Sequence, residues 1–186
     1  MPLLDSLRIA VIATDGVEEP ELAEPVMALR EAGARTELLS VKAGQIQAVQ
    51  HDLQPARQFT VDTTLDRADP GDYDALLLPG GAVNADRLRM EPAVQSFITR
   101  IHGAGKPMAV ICHAPWELIS AGLARGRTLT SYHTIQDDLR NAGATWLDQE
   151  VVVDGNLVTS RQPDDIPAFN REMLRLFAAA RSGSAI

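Results

Sequence analysis

Met108-Ala109-Val110-Ile111-Cys112-His113-Ala114-Pro115-Trp116 is the stretch on which the reading turns, and it holds the single cysteine of the 186-residue chain. Its first four residues form a short apolar run of the kind a buried strand shows, and residues 114–119 read as the first turns of a helix. Cys112 is therefore expected at a strand-to-helix corner, a nucleophile elbow that lifts the side chain above the end of the sheet. The exposed N–H groups and positive end of a following helix favour an anion, which predicts a stabilised thiolate. The thiolate is both the nucleophilic and the redox-active form of cysteine. A lone cysteine is also often a small buried hydrophobe, so its neighbours decide between the two.

Outward from the elbow, apolar runs alternate with helical spacing. Residues 8–14 read as a buried strand ending in Asp15-Gly16, and Glu18-Glu19-Pro20-Glu21 opens a helix whose Leu22, Val26, Leu29 and Ala32 recur at helical spacing up to Gly33. In this reading Glu19 and Glu21 are solvated residues of the helix start, while Glu18 belongs to the loop at the strand's carboxyl end. Residues 36–41 give a second strand, and the weaker pattern of 42–64 reads as short edge strands or a hairpin. Residues 75–79 are another buried strand that runs into Gly80-Gly81, where a backbone without Cβ can approach a ligand and Gly81 can supply an oxyanion donor. A helical turn over 87–90, a helix through Val94, Ile98 and Ile101, a strand at 128–131, a helix over 135–142 and a short strand at 144–146 follow. Residues 151–159 form the clearest hairpin, residues 166–177 a closing helix, and 181–186 a frayed tail.

Strands alternating with helices imply one domain over 1–186, its core at about 8–177, with a mostly parallel sheet covered on both faces. Ligands then bind at the carboxyl ends of the strands, where Glu18, Gly80-Gly81 and Cys112-His113 all fall. Seventeen Lys and Arg against twenty-five Asp and Glu give a net charge of −8, which opposes attraction to nucleic acid and to anionic membranes. No stretch has the length of a membrane span, no signal pattern opens the chain, and one cysteine forms no internal disulfide. The expectation is a reducing cytoplasm, with neither metal nor organic cofactor.

At the elbow, Cys112 is the candidate nucleophile. His113 is a candidate base or a structural neighbour, since adjacent side chains usually point apart. Glu18 is the carboxyl expected against the thiol, where a dry cleft would raise its pKa. The residues Asp15-Gly16-Val17-Glu18 with Glu21-Leu22, Leu78-Pro79-Gly80-Gly81, Ile111-Cys112-His113, Thr130-Ser131-Tyr132 and the segment 150–156 resemble the PfpI family of the class I glutamine amidotransferase-like superfamily, in order and over about 8–177. The resemblance implies a flavodoxin-like three-layer α/β sandwich and a homo-oligomer. It also implies a stress-response protein acting as a cysteine peptidase, or as a glyoxalase or deglycase on small aldehydes and their protein adducts, with an oxidation sensor or chaperone as the alternative. Carried over, Cys112 is the nucleophile, Glu18 the contacting carboxyl, His113 the catalytic histidine, and the amides of Gly81 and His113 the oxyanion hole. In peptidase-like members an acid from a neighbouring subunit completes a triad; Asp86 is the candidate here, in a stretch one residue longer and with Asp in place of Glu. Ala114-Pro115-Trp116 replaces the common Gly-Pro, which favours a small substrate over an extended peptide. Gly80, Trp116, Tyr132 and His133 complete the expected cleft.

Overall fold

The computed structural model describes residues 3–181, with the side chain of Arg181 left aside. The expected tail at 181–186 lies almost wholly outside the described residues. Strands β1 (Arg8–Ile12), β2 (Arg35–Ser40), β5 (Thr63–Thr64), β6 (Ala75–Leu78), β7 (Met108–Ile111), β10 (Val151–Asp154) and β11 (Leu157–Ser160) form the central sheet of the fold. Its seven strands lie in the order β10-β11-β7-β6-β1-β2-β5. All neighbours run parallel except β10 and β11, which form the antiparallel hairpin expected at 151–159. The central strands β6 and β7 are buried along their whole length. That is why they read as unbroken apolar runs with no alternation.

Helices α1 (Glu19–Glu31), α2 (Ala82–Leu88), α3 (Pro92–Gly103), α4 (Pro115–Ser120), α5 (Gln136–Asn141) and α6 (Ile166–Arg181) cover both faces. Two apolar cores result. One holds Leu22 and Leu29 of α1 with Phe169, Met173 and Phe177 of α6, against Ile9, Val11, Leu77 and Ile111. The other holds Leu88, Phe97, Ile98 and Ile101 with Leu118, against Ala10, Ile12, Leu76, Leu78 and Val110. This is the three-layer α/β sandwich that the sequence implies.

The weak segment after β2 resolves into a second hairpin, β3 (Gln45–Gln50) and β4 (Gln54–Thr60), paired outside the main sheet. Its tip places two consecutive non-glycine residues, His51 and Asp52, at φ of 54° and 61°. The helical turn expected over 87–90 is the end of α2. The strand at 128–131 shrinks to β8 (Thr128–Leu129), which pairs with β9 (Thr145–Trp146). Among the described residues no helix is long and apolar enough to cross a membrane.

Candidate active site

The loops after β1, β6 and β7 converge at the carboxyl edge of the sheet. Cys112 follows β7 with φ of 65°, the strained left-handed conformation of an elbow. Its amide donates to Ser160 O and its carbonyl accepts from the Tyr132 amide, so β11 and the 130–132 segment hold the turn from both sides. The side chain is only 5% exposed.

Gly80 and Gly81 lie over it. A Cβ on Gly80 would fall 2.5 Å from Cys112 Cβ and 2.8 Å from Ile111 O, and Gly81 has φ of 91° against the backbone of 16–18. Close approach therefore fixes glycine at both positions. The Gly81 amide donates to the Cys112 sulfur. Buried Asn84, on α2, ties these ends together: its side chain accepts from the Thr14 amide at 2.8 Å and donates to Pro79 O and Gly80 O at 3.1 and 3.0 Å.

The carboxyl that meets the sulfur is Glu21, where the sequence pointed to Glu18. Glu21 is fully buried, its Oε2 accepts the Gly80 amide at 2.9 Å, and it shares a hydrogen bond with Cys112. Its Oε1 has no hydrogen-bond partner among the described residues. Glu18 is instead used on the hairpin tip: its two oxygens accept the amides of His51 at 2.8 Å and Asp52 at 3.0 Å. The physical reason is helical phase. Glu18 precedes α1 in extended conformation, whereas Glu21, Pro25 and Leu29 recur every four residues along the buried stripe.

His113 Nδ1 lies 3.1 Å from Cys112 Sγ, so the strained turn brings two adjacent side chains to one side. Its ring stacks on Tyr132 at 4.8 Å, meets Trp116 at 5.3 Å, and its Nε2 lies 3.5 Å from Thr134 Oγ1. Burial lowers the His113 pKa, the charge of Asp52 opposes that, and His133 adds to it. Burial likewise pushes the Cys112 thiol well above its ordinary range, with charge on Glu21 adding to the rise and the Gly81 amide opposing it. The expected helix-stabilised thiolate is thus outweighed: α4 has only six residues, and desolvation dominates. Burial is likewise the chief cause that raises the Glu21 pKa well above the carboxylate range, so in all three side chains it favours the neutral form.

A cleft of about 320 Å³ opens onto the sulfur, lined by Glu18, Glu21, His51, Asp52, Cys112, Tyr132, Gln162, Pro163 and Asp164. Tyr132 is therefore in the cleft, whereas Trp116 backs the histidine, giving its indole N–H to Asp138 at 2.8 Å. Exposed His133 packs on the outer side of Tyr132 at 4.6 Å. Asp86 is exposed on α2. The sequence reading passed over Asp52 and Asn84 entirely. Among the described residues no cluster of three or more His, Cys, Asp or Glu side chains is arranged to hold a metal ion.

Residues 7–176 match the family model described as the DJ-1/PfpI family. The chain belongs to the DJ-1/PfpI family. Its relatives include an Escherichia coli protein named protein/nucleic acid deglycase 2, 44% identical over 94% of this chain and 99% of the relative. Two Bacillus subtilis relatives are general stress protein 18, 42% identical over 91% of this chain and 96% of its own, and YraA, named as a candidate cysteine protease, 41% identical over 92% and 98%. Among solved structures, Drosophila melanogaster DJ-1beta superposes with a TM-score of 0.83 at 28% identity, covering 96% of this chain and 97% of its own. These relatives, named for deglycation, stress and proteolysis, support a stress-related, hydrolase-type function.

Proposed function

We propose that the protein is a cysteine-dependent enzyme acting on small reactive aldehydes such as methylglyoxal, or on their adducts with protein side chains. The observation that carries the reading is the contact of the only sulfhydryl with three groups at once: His113 Nδ1 at 3.1 Å, the Glu21 carboxyl and the Gly81 amide. Addition of Sγ to an aldehyde carbon forms a C–S bond while the thiol proton passes to His113 and the carbonyl oxygen becomes an alkoxide. We assign that oxygen to the Gly81 and His113 amides; the His113 amide has no acceptor among the described residues. Glu21 gives its proton to the alkoxide, completing the hemithioacetal, and as a carboxylate takes the carbon-bound proton while His113 protonates the neighbouring carbonyl oxygen; Glu21 then returns the proton to that neighbouring carbon of the enediol and recovers the hydroxyl proton of the former aldehyde carbon, which gives a lactoyl thioester. Water then cleaves it to lactate and free Cys112. Overall, methylglyoxal and one water give lactate, with no net oxidation.

Two features favour an aldehyde over the alternatives. The cleft, about 320 Å³, stands at the lower end of small-molecule sites, which run from roughly 300 Å³ upward, and suits a three-carbon unit better than an extended peptide. A sensor cysteine is typically exposed and of low pKa, whereas Cys112 is buried and its pKa is raised. Self-association belongs to the same proposal, supported by the exposed apolar residues Val83 and Met90 at 41% and 74% exposure on and just beyond α2; light scattering in solution tests it. The activity is tested by lactate release from methylglyoxal by the reduced protein beside Cys112→Ser. Lactate formed by the wild type alone supports the reading, and equal rates in both proteins refute it.

A further inference from the structure

The tip of the β3–β4 hairpin is built into the cleft. Apart from the two amides that Glu18 accepts, the Asp52 carboxylate accepts the Ala82 amide at 2.7 Å. Ala82 is the first residue of α2, and its helix has no side-chain cap of its own, since the capping position is Gly81. Asp52 therefore supplies from another element the cap that this turn lacks, and it holds the peptide next to the amide that donates to Cys112. The backbone at His51 and Asp52 accepts left-handed strain to reach that position. Further back, the Gly16 amide donates to Gln47 O and the Val49 amide to Val17 O, each at 2.8 Å, so the hairpin is anchored along its length to the loop after β1.

Building on the aldehyde reading, we propose that Asp52 is a positioning residue of the Cys112 site. Its carboxylate fixes the Gly80-Gly81-Ala82 donor loop over the sulfur and brings negative charge to the cleft it lines with Cys112. Among the described residues no Lys or Arg neutralises that charge. Around His113 stand Cys112 on the elbow, Trp116 on α4, and Tyr132, His133 and Thr134 on the segment before α5. Of the groups that act on its titration, Asp52 is the one that favours the imidazolium formed when the thiol proton arrives.

The test separates charge from capping. Asp52→Asn keeps an acceptor for Ala82 and tolerates the left-handed backbone; Asp52→Gly relieves the strain and removes both functions. Histidine-labelled protein is titrated by NMR, and the His113 signal is assigned among the four histidines with His113→Gln. We expect the His113 midpoint to fall by about half a pH unit in Asp52→Asn, with kcat on methylglyoxal down roughly tenfold and KM little changed. Asp52→Glu should restore the midpoint. Asp52→Gly should lose more of kcat than Asp52→Asn, because the donor loop also slackens. An unmoved midpoint in Asp52→Asn overturns the proposal, as does full activity in Asp52→Gly or a shift produced by Asp86→Asn and not by Asp52→Asn. The titration is read without substrate, so it decides on Asp52 even where methylglyoxal is not consumed.

Discussion

Replacing Glu117 by methionine should stabilise the protein. Glu117 lies on α4, immediately behind the elbow, fully buried, and neither carboxyl oxygen has a hydrogen-bond partner among the described residues. Burial alone raises its pKa well above the carboxylate range, so the folded protein keeps it protonated. An unsatisfied buried polar group costs about 1–3 kcal/mol, and a methionine of similar length removes that cost without opening a cavity. For a domain of this size each kcal/mol moves Tm by about 2–4 °C, so Glu117→Met should raise Tm by roughly 2–12 °C. The sign of the pH dependence is fixed as well. A carboxyl with a raised folded-state pKa gives its full contribution below the unfolded value of 4.5 and loses it as pH rises toward the folded value. Wild-type stability should fall by up to about 1.4 kcal/mol per pH unit in that window from this group, and the variant should lack that slope. Glu117→Gln should lose the slope but keep the desolvation cost. Thermal unfolding from pH 5 to 8 measures all three proteins. A Tm gain for Glu117→Met that is absent, or that is the same at both ends of the range, would refute the reasoning.

Gly80→Ala should cut kcat/KM by roughly a hundredfold, because the new methyl must displace the Cys112 turn or the Glu21 carboxyl; near-normal turnover would show that the elbow has slack. The acid limb of kcat/KM should lie below pH 6.5, since burial lowers the His113 pKa and a neutral imidazole must receive the thiol proton; a limb above pH 7 would contradict that role. The cleft presents Glu18, Asp52 and Asp164 and, among the described residues, is lined by no Lys or Arg. Methylglyoxal adducts of arginine amides should accordingly show lower KM than adducts of nucleoside monophosphates, with the gap narrowing at high salt; no difference would mean that the carboxylates do not face the bound substrate.

The architecture was legible because its strongest signals are periodic. Residues 75–78 and 108–111 are buried on both faces and read as uninterrupted apolar runs, and the spacing of Phe169, Met173 and Phe177 marks one stripe of a helix. The convergence of Cys112, Gly80 and Gly81 at one sheet edge was legible because strand-end position and backbone demand act locally. Glu21 was not, because its neighbours Glu18 and Glu19 share its chemistry and only the phase of α1 separates them. Its four-residue spacing to Pro25 and Leu29 was the available signal. Asp52 lies in a hairpin exposed along most of β4, so no periodicity marks it, and its place over the cleft arises from contacts 30 to 34 residues away in sequence. The upward pull of burial on the thiol pKa was also beyond the sequence, since burial is a tertiary property that local position at the start of α4 does not reveal.

The most direct measurement is intact-mass analysis of the reduced protein during methylglyoxal turnover, with lactate followed in parallel. Methylglyoxal also adds to arginine and lysine, of which the chain has seventeen, so the adduct on Cys112 is the one present in the wild type and absent from Cys112→Ser. The expected result is a transient mass increase of one methylglyoxal unit on Cys112 that disappears as lactate accumulates, and neither that transient adduct nor lactate with Cys112→Ser. Lactate formed at the same rate by Cys112→Ser, or a Cys112 adduct that persists without releasing product, would contradict the account.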